Sequence, residues 1–369
     1  MKIGIIKEIK DNENRVSISP SGVAKLCQAG HIVVIENSAG DGSGFSNDEY
    51  EQVGAILVDV EKAWDVELVV KVKEPLPAEY QYLDQQMIFT FFHLSGVDPK
   101  LTGVMLASEV TAIAYETLED EQGGLPILAP MSAIAGNMAT LMGSYYLASF
   151  NQGKGMQLGT VLGKKYGKVV VVGVGVVGRH AAHVAWSMGA DVYIAGLDRQ
   201  SGCQFIDSKL PGAQFFLSNH ENIRRHVSDA DLVVGAVLNK GAKAPYVVTE
   251  AMIKQMVPGS VVVDVSIDQG GCIETSRPTT HSEPVFIKHN IIHYCVTNMP
   301  GAYPRTSTMA LTEATMPYLL NLAEQGLAMF KTNKNLAKAI NTFSGYVTHQ
   351  QVAQDLGLQS EYKTIEQLL

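Results

Sequence analysis

The sequence predicts an α/β protein of two doubly wound parallel-sheet domains, the second inserted into a discontinuous first. Three observations carry this. Strand-like runs alternate with amphipathic helical ones along most of the chain, the pattern of parallel sheets with right-handed crossovers. A long helical segment rich in small and apolar residues divides that alternation into two series. The length of 369 residues is enough for two separate cores.

The first series reads KIGII, HIVVIE, ELVVKV, MIFTFF and VTAIAYE. These runs are β-branched or aromatic-rich and bounded by turn residues, as strands are. Helical patterns lie between them, such as PSGVAKLCQAG with Pro20 near its start and Gly30 past its end. A long helix follows, predicted from about 131 to 150. The second series is KVVVVG, GADVYIAG, AQFFL, DLVVGAV, SVVVDV and IIHYCV, and the segment from about Thr306 onward is helical in pattern. If that last segment packs back on the first series, the domains are 1–128 with 306–369, and 129–305.

Hydrophobic residues make up 46% of the chain and charged residues 18%, an ordinary globular balance. The net charge of −9 argues against nucleic-acid and anionic-membrane partners, which need basic surface. Cys27, Cys203, Cys272 and Cys295 stand far apart, with no C-x-x-C pair and no zinc spacing, so no metal is expected. Reduced thiols and an opening MKIGIIKEIK without an apolar h-region predict a cytoplasmic protein. The longest apolar stretch, near Val169 to Gly178, is short and glycine-broken, so no membrane span is expected.

Gly173-Val174-Gly175-Val176-Val177-Gly178 follows the strand KVVVV and opens the helical RHAAHVAWSMGA. Such a G-x-G-x-x-G turn lets backbone approach a pyrophosphate and offers it a helix N-terminus. The inserted domain therefore reads as a Rossmann-type dinucleotide-binding domain. An acidic residue ordinarily ends the second strand of this unit and grips the ribose. Here Gly196 stands at that place, with Asp198 and Arg199 after it. Either Asp198 reaches the ribose, which favours NAD, or Arg199 pairs with a 2′-phosphate, which favours NADP. Solvated loop charges are the plain alternative, and NAD is the cofactor expected.

In the first series, Arg15 lies in the loop after the first strand, Lys73 closes ELVVKV and His93 closes MIFTFF. Strand C-termini of an open parallel sheet point into the ligand crevice. Singly, the first two read as surface charges and His93 as a core histidine. Asp268, in DVSIDQGG after SVVVDV, is either a crevice carboxylate or a turn cap. The loop Val296-Thr297-Asn298-Met299 follows the last strand of its series.

Together KEIKDNENRVSISP, VVKVKEPLPAEY, FTFFHLS, TAIAYET, VVDVSIDQGGCIET and TNMPGAYPRTST resemble the alanine dehydrogenase family over nearly the whole chain. That family shares its fold with the nucleotide-binding part of nicotinamide nucleotide transhydrogenase. The resemblance implies Arg15 and Lys73 as the substrate-binding pair and His93 and Asp268 as the catalytic pair. It implies cofactor contacts at Ser132, Val177, Ser218, Val237, Leu238, Val296, Asn298 and Met299, to which the residues themselves add Gly173, Gly175, Gly178, Asp198 and Ile267 as expected contacts. Gly196 departs from the family's ribose-binding Asp, and Asn137 from an Arg in its MS-x-x-AGR segment. The implied reaction is reversible oxidative deamination of L-alanine to pyruvate and ammonium with NAD, in a homo-oligomer that is commonly a hexamer. Two other readings keep the scaffold: a saccharopine- or carboxyethylornithine-type dehydrogenase, or a transhydrogenase-like protein that binds nucleotide without catalysis.

Overall fold

The computed structural model describes residues 1–238, 244–331 and 333–368. They form two compact units, Met1–Met131 with Tyr303–Leu369, and Ser132–Ala302.

In the first unit the strands are β1 (Lys2–Ile5), β2 (Ile32–Glu36), β3 (Ile56–Val58), β4 (Leu68–Val70), β5 (Met87–Thr90) and β6 (Thr111–Ala114). They pair in parallel in the order β3-β2-β1-β4-β5-β6. The order reverses between β1 and β4, which makes a switch point with a crevice outside the carboxyl ends. Leu68, Val69 and Val70 are fully buried, as residues of a central parallel strand are. Helix α1 (Pro20–Gln28) starts on a proline that lacks only a donor the first turn cannot use. It buries Gly22, Val23 and Leu26.

Helix α2 (Leu128–Tyr146) starts three residues earlier than the sequence predicts and ends four earlier. Pro130 is tolerated in its first turn, which carries the start upstream. At its other end Leu147 is fully buried, and its carbonyl accepts Gly155 N–H at 2.8 Å, which turns the chain away.

The second unit holds β7 (Lys168–Val172), β8 (Asp191–Gly196), β9 (Gln214–Leu217), β10 (Leu232–Gly235), β11 (Val261–Asp264), β12 (Val285–Lys288) and β13 (Ile291–Tyr294). Their order is β9-β8-β7-β10-β11-β13-β12, parallel except for the edge strand β12. This is the doubly wound dinucleotide-binding order with one antiparallel strand added. Helices α3 (Val176–Ser187) and α4 (Arg199–Lys209) follow β7 and β8.

The end of the chain departs from the helical pattern predicted for it. Helix α5 (Pro304–Gln325) is followed by short helices and by a hairpin, Ile340–Phe343 with Tyr346–Val347. Ile340 and Thr342 are β-branched, and Ser344-Gly345 turns at positive φ (47° and 78°). The first hairpin strand pairs antiparallel with β6 and covers what would be an open sheet edge. Among the described residues no helix is long and apolar enough to cross a membrane.

Candidate active site and nucleotide cradle

In the first unit, Arg15, Lys73 and His93 follow β1, β4 and β5, of which the first two flank the switch point and the third lies next to β4. Arg15 is 2% exposed and locked against Glu13, which accepts from its Nε at 2.6 Å and also from its Nη2. Its Nη1 lies 3.2 Å from Met131 Sδ. Lys10 pairs with Glu74 at 2.5 Å.

Lys73 is held by its main chain. Its N–H donates to Glu8 Oε1 at 3.2 Å, and its carbonyl accepts Thr90 Oγ1 at 3.0 Å. Glu8 is fixed in turn by Val72 N–H at 2.6 Å and by the fully buried Lys71 at 3.3 Å. Among the described residues, no carboxylate forms an ion pair with the Lys73 ammonium. Burial and the Arg15 charge push its pKa below the usual lysine value.

His93 stands in the left-handed region at φ 50°, ψ 40°, uncommon for a residue with a Cβ. Glu116 holds that turn, accepting Phe92 N–H at 3.2 Å and His93 N–H at 2.5 Å. The imidazole stacks on Phe91, ring centres 5.7 Å apart. Packing atoms around the ring, then Lys73, Lys10 and Arg15, lower its pKa to about 3. The residue is exposed to solvent, and the ring is neutral at pH 7. Burial raises Glu116 to about 7, against the two backbone donors.

In the second unit the glycine turn follows β7 directly. Gly173 has φ 121°, and a Cβ there would meet the Ala236 carbonyl. Gly178 lies in the first turn of α3, where a Cβ would overlap the Gly173 carbonyl oxygen. Gly175 caps the helix and faces open space. The turn therefore presents bare backbone at a helix N-terminus, which suits a pyrophosphate. Val177 packs its carbonyl against Gly136 of α2, one turn after Ser132. Asn137, on the same helix, lies 3.3 Å from His180 of α3.

The remaining positions lie past strand ends of the same sheet. Ser218 N–H donates to the Gly196 carbonyl at 2.8 Å. Ser266 donates its hydroxyl to the Val237 carbonyl at 2.8 Å, joining the loops after β10 and β11. Leu238 beside it is 54% exposed. Asn298, at φ 57°, has its N–H 3.5 Å from Asp268 Oδ2, so the loops after β11 and β13 meet there. Ile267, Val296 and Met299 are buried, so what they offer a ligand is backbone. Asp198 is the N-cap of α4. Glu13, Glu8 and Glu116 are functional neighbours that the sequence reading missed; the only signal for Glu13 was its place two residues before Arg15. Among the described residues no group of His, Cys, Asp or Glu has the makings of a metal site.

Two family models match the chain: the alanine dehydrogenase/PNT N-terminal domain over residues 4–135 and the C-terminal domain over 139–350. The chain is 47% identical over 373 aligned positions to "Alanine dehydrogenase 2" of Staphylococcus aureus (strain USA300), covering 100% of both. A solved structure titled L-alanine dehydrogenase matches with a TM-score of 0.93 at 44% identity, covering 97% of this chain and 99% of that one. A transhydrogenase structure from Sinorhizobium meliloti matches at 0.80 and 26% identity, covering 95% and 99%. With both family models matched and a full-length relative at this identity, the chain belongs to the alanine dehydrogenase/PNT family.

Proposed function

We propose that this chain interconverts L-alanine with pyruvate and ammonium, using NAD as hydride acceptor. One observation carries the reading furthest. Among the described residues no carboxylate pairs with the Lys73 ammonium, which is set with Arg15 and His93 past the ends of adjacent strands. A half-buried cation of that kind is completed by an anionic ligand. The relatives' names point to the same substrate.

Arg15, fixed by Glu13, supplies a permanent positive charge for the substrate carboxylate. Lys73 lies near the carboxylate or the keto oxygen and stabilises a polarised carbonyl. The bare backbone of Gly173, Gly175 and Gly178 fits a dinucleotide pyrophosphate. Held by that backbone, a nicotinamide would supply the hydride acceptor for Cα of L-alanine, whose amine would become an iminium ion. His93, neutral at pH 7, accepts a proton from the water that adds to the imine carbon. It returns that proton to the nitrogen of the carbinolamine, which collapses to pyruvate and ammonia. Asp268 balances the charge on the nitrogen and orients water or ammonia. The same steps reversed aminate pyruvate.

A homo-oligomer, hexameric on the family resemblance, and a cytoplasmic setting complete the reading; four unpaired thiols suit a reducing compartment. The test is NADH consumption by the purified chain with pyruvate and ammonium, and separately with pyruvate and ornithine or lysine. Turnover with ammonium is the expected result. Turnover only with a diamino acid moves the reaction to reductive joining of two substrates, and none with either overturns the proposal.

A further inference from the structure

A NAD-selective fold ends its second strand in a carboxylate that grips the ribose hydroxyls and repels a 2′-phosphate. Here that strand, β8, ends on Gly196. A Cβ at this position would lie 2.9 Å from Phe215 Cε2 and 3.0 Å from Val174 Cγ1, so the wall around it is aromatic and aliphatic. The next carboxylate along the chain is already employed. Asp198 caps α4, with Oδ1 accepting Gln200 N–H at 3.0 Å and Oδ2 accepting Ser201 N–H at 3.3 Å.

Two guanidinium groups border the same turn. Arg199 is the first residue of α4 and is exposed. Arg179 donates from Nε to the Val174 carbonyl at 2.9 Å and lies 5.0 Å over the Phe205 ring of α4. Val174 also walls Gly196, so Arg179 is held beside the strand end. Guanidinium forks match phosphate oxygens in geometry and charge.

We propose that the adenosine end of this cradle does not discriminate between NAD(H) and NADP(H): Arg199 and Arg179 receive a 2′-phosphate where a carboxylate would have excluded it. The ribose of NAD loses its charged acceptor at the same point, so neither form is favoured by more than about tenfold. The inference rests on reading the cradle as a nicotinamide dinucleotide site, and it is independent of the amino-acid substrate.

The test is direct binding of NADH and of NADPH to the full chain, followed by nicotinamide fluorescence without any amino or keto acid. The two dissociation constants should agree within about tenfold, with NADPH binding weakening more steeply as salt rises. Arg199→Glu, an exposed change that leaves the core alone, should shift the NADPH-to-NADH ratio of dissociation constants upward by about tenfold or more. Gly196→Asp combined with Phe215→Ala, which opens space for the new side chain, should restore preference for NADH. A ratio beyond about tenfold in the unaltered chain, or one indifferent to Arg199→Glu, overturns the proposal. Turnover assays with both cofactors separate the two readings. Equal binding without turnover sinks the proposed reaction and leaves the cofactor inference standing, whereas failure to bind either cofactor removes both.

Discussion

Asp264 closes β11, is fully buried, and holds the segment that carries Ile267 and Asp268. Its Oδ1 accepts Ser266 N–H at 3.1 Å, and its Oδ2 accepts Cys272 N–H and Ile273 N–H, both at 3.0 Å. Both ends of the 265–271 loop are thereby tied to one carboxylate. Asp264→Ala strands three buried donors, at about 1–3 kcal/mol each. Part of that is offset, because burial already opposes the charged form and raises its pKa. The net destabilisation is about 3–5 kcal/mol. For a unit of this size each kcal/mol moves Tm by about 2–4 °C, so calorimetry should show a fall of about 6–20 °C. Asp264→Asn keeps one accepting oxygen but sets an amide NH2 against backbone donors, and about half that fall is expected. Since the tie positions Asp268, kcat should drop in the Asn variant while pyruvate KM moves little. An Ala variant that melts within about 2 °C of the unaltered chain and keeps its kcat refutes the reasoning.

His93→Ala should lower kcat by about 100-fold or more, measured as NADH consumption, since no other group would move the proton; near-normal turnover would remove it from the mechanism. Because desolvation, and after it the neighbouring cations, hold the free His93 ring below its ordinary 6.5, its deprotonated form persists as pH falls, and kcat/KM for L-alanine should show no inflection between pH 6 and 7.5. With substrate bound the corresponding limb of kcat should lie higher than that of kcat/KM; coincident limbs would contradict this. Arg15→Lys keeps the charge but loses the Glu13-bound fork, so pyruvate KM should rise about 10-fold or more, and an unchanged KM would sink the assignment. Gly178→Ala drives a Cβ into the Gly173 carbonyl and should weaken NADH binding by about 10-fold or more in fluorescence titration; wild-type affinity would deny the close approach a role.

The strands and the glycine turn were legible because their signals are local: a β-branched run, its bounding turn residues, and three glycines between strand and helix. Arg15, Lys73 and His93 were legible as strand-end residues, since parallel topology fixes where strand ends point. Glu13 and Glu116 were not, because what distinguishes them is the partner they meet, and Glu116 meets the His93 turn from 23 positions away. The hairpin at 340–347 was read as helical because its pairing with β6 is remote in sequence, and so was the need to cover that edge. Asp198 carried a readable cue, an Asp just before a helical run, which is the pattern of an N-cap.

The parallel strands of each unit run in the 3-2-1-4-5-6 order with the candidate residues past their carboxyl ends, yet the loops there are built in opposite ways. In the second unit the loop after the first strand gives up side chains, so that backbone N–H groups approach an anion. In the first unit the corresponding loops keep long charged side chains and satisfy most of them internally: Arg15 on Glu13, Lys10 on Glu74, Lys71 on Glu8 and Glu79. Lys73 is a cation that this pairing leaves without a carboxylate among the described residues. With no anion present, Lys73, Lys10 and Arg15 all disfavour a proton on His93, and Arg15 and Lys10 disfavour one on Lys73. A carboxylate seated at Lys73 cancels part of that field and raises both groups toward their ordinary values. The imidazole would thus become an effective proton carrier only once the substrate is in place. In the proposed reaction, charge left unbalanced at Lys73 would let substrate binding itself tune the base.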